Sequence, residues 1–111
     1  MGISLKGIRE EREFLEKFLT KREPGIISII PNIDSLNWEC SKKAANCYEV
    51  ILKIKTSSSE YLETKSTGIN IYSCVRTVAD HMEKKARKTF DKDDIENWSN
   101  KVYSNHKNKV A

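Results

Sequence analysis

The chain has 111 residues, 38% of them hydrophobic and 32% charged, with 20 Lys and Arg against 16 Asp and Glu for a net charge of +4. That length suits one domain with a single modest core, and the composition suits a folded protein with a heavily charged surface. No apolar run approaches the roughly 20 residues that span a bilayer. The opening MGISLKGIREEREF turns charged without a hydrophobic signal core, so a cytoplasmic location and no membrane partner are expected.

ISLKGI alternates apolar and polar positions and reads as a short first strand ending at Gly7. From Ile8 to Arg22, residues Ile8, Leu15, Phe18 and Leu19 share one helical face, with Phe14 at its margin. Lys21 and Arg22 fall in the last turn, where cations favour the helix dipole, and Pro24-Gly25 stops the helix. Ile26 to Ile30, IISII, is β-branched and too short for a helix, so it reads as a buried strand.

Residues 32–46 are polar apart from Leu36 and Trp38 and read as a loop or an extension of that strand. In YEVILKIK, Tyr48, Val50, Leu52 and Ile54 point one way along a strand. Thr56 to Ser59 forms a turn without glycine. Glu60 to Lys65 alternates weakly through Tyr61 and Glu63 as the antiparallel partner, and Ser66-Thr67-Gly68 breaks it. Asn70 caps a second helix.

That helix, NIYSCVRTVADHMEKKARK, places Ile71, Val75, Val78, Met82 and Ala86 at spacings of 4, 3, 4 and 4, one face packed on a core. Arg76, Lys84 and Arg87 lie opposite, flanked by Lys85 and Lys88. Asp91 to Asp94 and then Ile95, Trp98 and Val102 suit a further short helix, and SNHKNKVA closes the chain as a tail. The predicted core sets Ile27, Ile29, Val50, Leu52 and Ile54 under Leu15, Leu19, Val75, Val78 and Met82. The expected fold class is therefore α+β: a small, mainly antiparallel sheet with two helices on one face, in (β)-α-β-β-β-α order. Residues 1–90 form the domain, and 91–111 form a C-terminal helical extension or tail.

Cys40, Cys47 and Cys74 are odd in number and show no CxxC pair. With only His81 and His106 beside them, no zinc site is expected. Cys74 reads as a reduced core thiol, and a Cys40–Cys47 disulfide is disfavoured in a reducing compartment. No glycine-rich phosphate loop, HExxH or GxSxG occurs, and Asp91, Asp93, Asp94 and Glu96 lack EF-hand spacing. They read as acids at a helix N-terminus, and His81 as a surface histidine. The chain is expected to be no enzyme, with no cofactor, metal or small-molecule substrate.

The charge is unevenly spread: residues 1–69 hold 11 Lys/Arg against 10 Asp/Glu, and residues 70–111 hold 9 against 6. A polyanion is one partner that this distribution suits, since Lys and Arg make phosphate contacts. Many inert cytosolic proteins have a pI near 9 as well, so charge alone does not decide it. The element order and the local text together resemble the ribosome hibernation-promoting factors, or ribosome-associated inhibitors, in a short form. In that family the second helix opens with an acidic or amide residue, an apolar residue and a tyrosine. Two small residues and an Ile or Val follow, then an apolar stripe with a basic end. Asn70, Ile71, Tyr72, Ser73, Cys74 and Val75 take those places, and Lys84, Lys85, Arg87 and Lys88 match the basic end. VILKIKTSSSEYLETKS lies where that family has its last two strands, EREFLEKFL resembles its first helix and ISLKG its opening strand. Arg76 stands where an aspartate is common. The resemblance covers about residues 3–88, and the long-form dimerisation domain does not fit into residues 89–111.

The resemblance implies a cytoplasmic regulator of translation, active in ribosome hibernation and stress, that binds small-subunit ribosomal RNA. Its contacts would be Lys84, Lys85, Arg87 and Lys88, joined by Arg76, Lys17, Lys21 and Arg22, acting by charge and shape rather than by base reading. The double-stranded-RNA-binding domains share the α-β-β-β-α order but begin the last helix with lysines, which Gly68-Ile69-Asn70-Ile71 lacks. The alternative reading is a protein-interaction module using the sheet edge or the Trp98 helix, with no RNA role.

Overall fold

The computed structural model describes residues 2–9 and 11–90. The expected helix over Ile95–Val102, the acidic run from Asp91 and the tail lie outside the described residues. The elements are β1 (Gly2–Lys6), α1 (Arg12–Ile27), β2 (Ile33–Ala44), β3 (Cys47–Thr56), β4 (Tyr61–Gly68) and α2 (Ile71–Phe90). The four strands form one sheet in the order β1-β2-β3-β4, with β1 parallel to β2 and the other two pairings antiparallel. Mostly antiparallel and covered on one face by two helices, this is the α+β architecture expected.

Alternation decides which strand residues enter the core. Leu36, Trp38 and Cys40 of β2, Val50, Leu52, Ile54 and Thr56 of β3, and Leu62 of β4 are buried. They meet Leu15, Leu19 and Ile26 of α1 and Ile71, Cys74, Val75, Val78, Ala79, Met82 and Ala86 of α2 in one cluster. Residues between them on the strands, such as Ser35, Asn37, Glu39, Lys53 and Glu63, belong to the open face of the sheet.

Three expectations are corrected. The segment Ile26–Ile30 is not a strand: α1 runs on to Ile27 with Pro24 inside it, and Ser28 caps it by donating to the Pro24 carbonyl at 3.0 Å. Ile26 is fully buried, so the last turn docks on the core; Ile27 is left exposed and Ile29 only packs at the margin. Burying an aliphatic side chain gains about 1.5–3 kcal/mol, comparable to the roughly 3 kcal/mol that an internal proline costs a helix. Second, the polar stretch holds the longest strand, β2. Third, Leu62 rather than Tyr61 faces the core in β4.

The start of α1 also shifts. Ile8 is buried but precedes the helix, because no Ser, Thr, Asp or Asn is placed to cap an earlier start. Glu11, at φ 56°, takes the N-cap position without a side-chain cap. Arg12 instead donates to the carbonyl of Ile8 at 2.8 Å, tying down the connecting loop. By contrast, α2 starts as its sequence indicates, with the Asn70 side-chain oxygen accepting from the N–H groups of Tyr72 and Ser73 at 2.9 and 3.2 Å.

The glycine-free turn between β3 and β4 is held by buried Thr56. Its hydroxyl accepts from the Glu60 N–H at 3.1 Å while its own N–H donates to the Glu60 carbonyl at 2.9 Å. At the far end of β4, Gly68 lets α2 approach closely: a Cβ there would sit 3.2 Å from the Cys74 sulfur. The three cysteines are free thiols. Burial, and then the neighbouring Cys74, lift the Cys40 thiol from 9.0 to about 12.

Three outcomes follow from this packing. Leu52→Ala and Met82→Ala each lose roughly 2–5 kcal/mol in denaturant unfolding, and an unchanged midpoint in either rejects the core. Pro24→Ala, on an exposed position where the helix continues regardless, raises the melting temperature. A lower one means that the proline's restriction of the unfolded chain outweighs the helical hydrogen bond it removes. For Cys40 the unfolded chain ionises first, from about pH 9, so stability falls as the pH rises toward about 12. Cys40→Ala, though weaker at neutral pH, shows a shallower decline over that window.

Candidate nucleic-acid interface

The two helices form one layer over the sheet, and the sequence-predicted cations fall on it in two groups. On α2, Arg76, Lys84, Arg87 and Lys88 are exposed along the side away from the core. Lys85 is also exposed but turns toward the sheet edge, where its ammonium donates to the Glu63 carbonyl of β4 at 3.0 Å. On α1, Lys17 and Lys21 are exposed and Arg22 is half-buried. Lys17 pairs with Glu13 one turn earlier at 3.5 Å, with both side chains largely in solvent; such a pair contributes little.

Arg22 and Arg76 meet across the helix–helix seam. The Arg22 guanidinium lies 4.4 Å from the centroid of the Phe18 ring and the Arg76 guanidinium 5.8 Å from the same centroid. Phe18 in turn packs edge-to-face with Tyr72 at 5.1 Å, and Phe14 does so at 5.6 Å. The Tyr72 hydroxyl donates to Glu11 at 3.4 Å, and burial, followed by that carboxylate, pushes its pKa up. Tyr72 also lines a cleft of about 550 Å³ between the starts of the two helices, together with Arg9, Lys42 and Tyr48.

The sequence reading singled out the cations but not the aromatic residues that assemble two of them. The signal was present: Phe14, Phe18 and Arg22 follow one another at i, i+4 and i+8 along α1, and Tyr72 and Arg76 at i, i+4 along α2. Only the crossing of the two lines, which depends on tertiary packing, makes them a cluster.

The open face of the sheet behaves differently. Lys53 pairs with Glu39 at 2.9 Å, and Glu49 is shared between Lys43 at 3.5 Å and Lys65 at 3.3 Å. Both lysines hold the Glu49 carboxyl below its ordinary range against the opposing pull of desolvation. Lys43, Lys53 and Lys65 on that face are therefore neutralised in place, while Lys6 and Lys55 make no ion pair among the described residues. Among the described residues Arg22, Arg76, Lys84, Arg87 and Lys88 have no carboxylate within ion-pair distance. The densest group of uncommitted cations among the described residues lies at the end of α2, although Lys6 and Lys55 on the open face are also without an ion pair. No group of His, Cys, Asp and Glu suited to a metal occurs among the described residues, and no helix among them is long and apolar enough to cross a membrane.

No sequence-family model matches the chain, and no characterised protein matches it at the sequence level. The fold, however, has close counterparts among solved structures. A ribosomal subunit interface protein from Coxiella burnetii superposes with a TM-score of 0.62 at 15% identity, over 80% of this chain and 97% of its own. The N-terminal domain of Protein Y from Thermus thermophilus superposes with a TM-score of 0.64 at 8% identity, over 79% of this chain and 94% of its own. At such low identity the likeness is one of backbone architecture, and the β-α-β-β-β-α chain described above has the same fold as these two proteins.

Proposed function

We propose that the protein is a ribosome-associated regulator that binds small-subunit ribosomal RNA through the basic surfaces of its two helices and thereby inhibits translation. The observation that carries this reading is the contrast between the two faces of the molecule. Lys43, Lys53 and Lys65 on the sheet are neutralised by Glu39 and Glu49, whereas the end of α2 gathers Lys84, Arg87 and Lys88 in adjacent turns without a carboxylate partner among the described residues. A surface of this kind releases counterions from a phosphate backbone on binding, which is the main source of affinity for nucleic acid. The fold shared with a ribosomal subunit interface protein supports ribosomal RNA as that polyanion.

Within this surface the residues have different duties. Lys84, Arg87 and Lys88 address phosphates from the last turns of α2, and Lys17 and Lys21 extend the positive strip along α1. Lys85 contributes charge while its ammonium steadies the edge strand, which also blunts that edge against pairing with another chain. Contacts of this type position a protein on folded RNA without reading its sequence.

Replacing Lys84, Lys85, Arg87 and Lys88 together by Gln is expected to weaken binding to unrelated RNA sequences alike and to flatten the salt dependence by about one unit per lost contact. The same variant should fail to co-sediment with small subunits at a salt concentration where the unaltered protein still does. Salt-insensitive binding, or undiminished binding by the quadruple variant, rejects this surface.

A further inference from the structure

The seam between α1 and α2 combines features that phosphate binding alone does not use. Phe14 is 58% exposed although its neighbours in the line, Phe18 and Tyr72, are packed against each other. Two guanidiniums from different helices share the Phe18 ring, so their carbons lie no more than about 10 Å apart. Neither has a hydrogen-bond or ion-pair partner among the described residues, and the Arg22 Nε is buried without one. Two acids beside the aromatic line are already engaged, Glu13 with Lys17 and Glu11 with the Tyr72 hydroxyl, and Asp80, one turn after Arg76, is not within ion-pair distance of it.

Two like charges held beside an exposed aromatic ring call for a ligand with both an anion and a flat apolar face. A lipid surface supplies the anions but would meet only one exposed ring here. A paired RNA helix supplies phosphates yet keeps its base faces stacked inside. An unpaired nucleotide supplies both, because its base can stack on an aromatic ring while its phosphates meet arginines. We propose that this seam takes an unpaired nucleotide of RNA, with its base stacked on Phe14 and the flanking phosphates on Arg22 and Arg76. The inference rests on the RNA-binding reading above and adds to it a preference for single-stranded over paired RNA. Arg9 and Lys42, at the cleft beside Tyr72, lie where the strand would continue.

The test uses the full chain and two labelled probes, a short single-stranded RNA and a blunt-ended duplex of the same sequence, titrated by fluorescence anisotropy at low salt. Phe14→Ala is expected to weaken single-stranded binding roughly 5- to 100-fold while duplex binding stays within about twofold. Phe14→Tyr, which keeps a ring, restores the single-stranded affinity, and circular dichroism of both variants matches the unaltered protein. Unchanged single-stranded binding in Phe14→Ala, or equal loss on both probes, overturns the seam and leaves the phosphate-binding surface standing. Failure of the unaltered protein to bind either probe overturns the RNA reading itself, and the seam with it.

Discussion

Trp38 is the residue around which the rest of the molecule is arranged. It is the largest of the fully buried side chains, at the middle of β2, and its indole N–H must find an acceptor inside the core. That acceptor is the Glu23 carboxylate, 3.2 Å away and itself buried. Leaving such a donor unmet costs about 1–3 kcal/mol. The pairing therefore sets the position of α1 over β2 and requires helical backbone at Glu23, one residue before a proline. Ile26 follows one turn later and enters the same core. The helix thus persists through Pro24 because its final turn carries both the partner of Trp38 and a core side chain. Lys21 and Arg22 consequently lie inside the helix rather than at its dipole end, and Arg22 is aimed at the seam with α2.

Much of this was legible from local pattern. The strand Tyr48–Lys55, the turn at Thr56, the cap at Asn70 and the buried stripe of α2 each rest on signals within one element, and the structure has them where the residues indicate. Two segments misled for a common reason. IISII has strong β-branched propensity, but tertiary burial of Ile26 overrode it. SLNWECS alternates every two residues, after an irregularity between Ile33 and Ser35, yet its apolar members are few and include a cysteine, so its polar positions dominated the reading. Those polar positions are the open face of a sheet covered on one side only. In β4, Leu62 is the lone strongly apolar residue, and it marks the inner face more reliably than the aromatic Tyr61 beside it.

The candidate site was legible in part. Its cations could be counted along the chain, but which of them stay available depends on cross-strand register. Glu39 neutralises Lys53 because β2 and β3 set Asn37 opposite Lys53, with Glu39 two residues further along the same face. Glu49 reaches Lys65 by the same logic from β3 to β4, where Ile51 faces Lys65. Sequence separation hides both relations. On α2, by contrast, Asp80 and Glu83 precede the basic turn, and the last two turns hold cations without acids. The sheet's glutamates thus make the neutralisation of Lys43, Lys53 and Lys65 an effect of strand pairing, and among the described residues no such arrangement operates at the end of α2.

Phe18 links the two parts of the structure. It packs against the core at its margin, and its ring is the surface on which guanidiniums from both helices converge. Guanidiniums are weakly hydrated and planar, so an aromatic face holds them better than it would an ammonium. Lysine at 22 or 76 would keep the net charge yet lose that anchoring, so charge alone does not define this part of the surface. Arg76 gives the seam a second cation, contributed by α2 to the same ring that Arg22 meets from α1. The result is a cationic site in which neither guanidinium has a carboxylate partner among the described residues, held in place by an aromatic ring rather than by an ion pair.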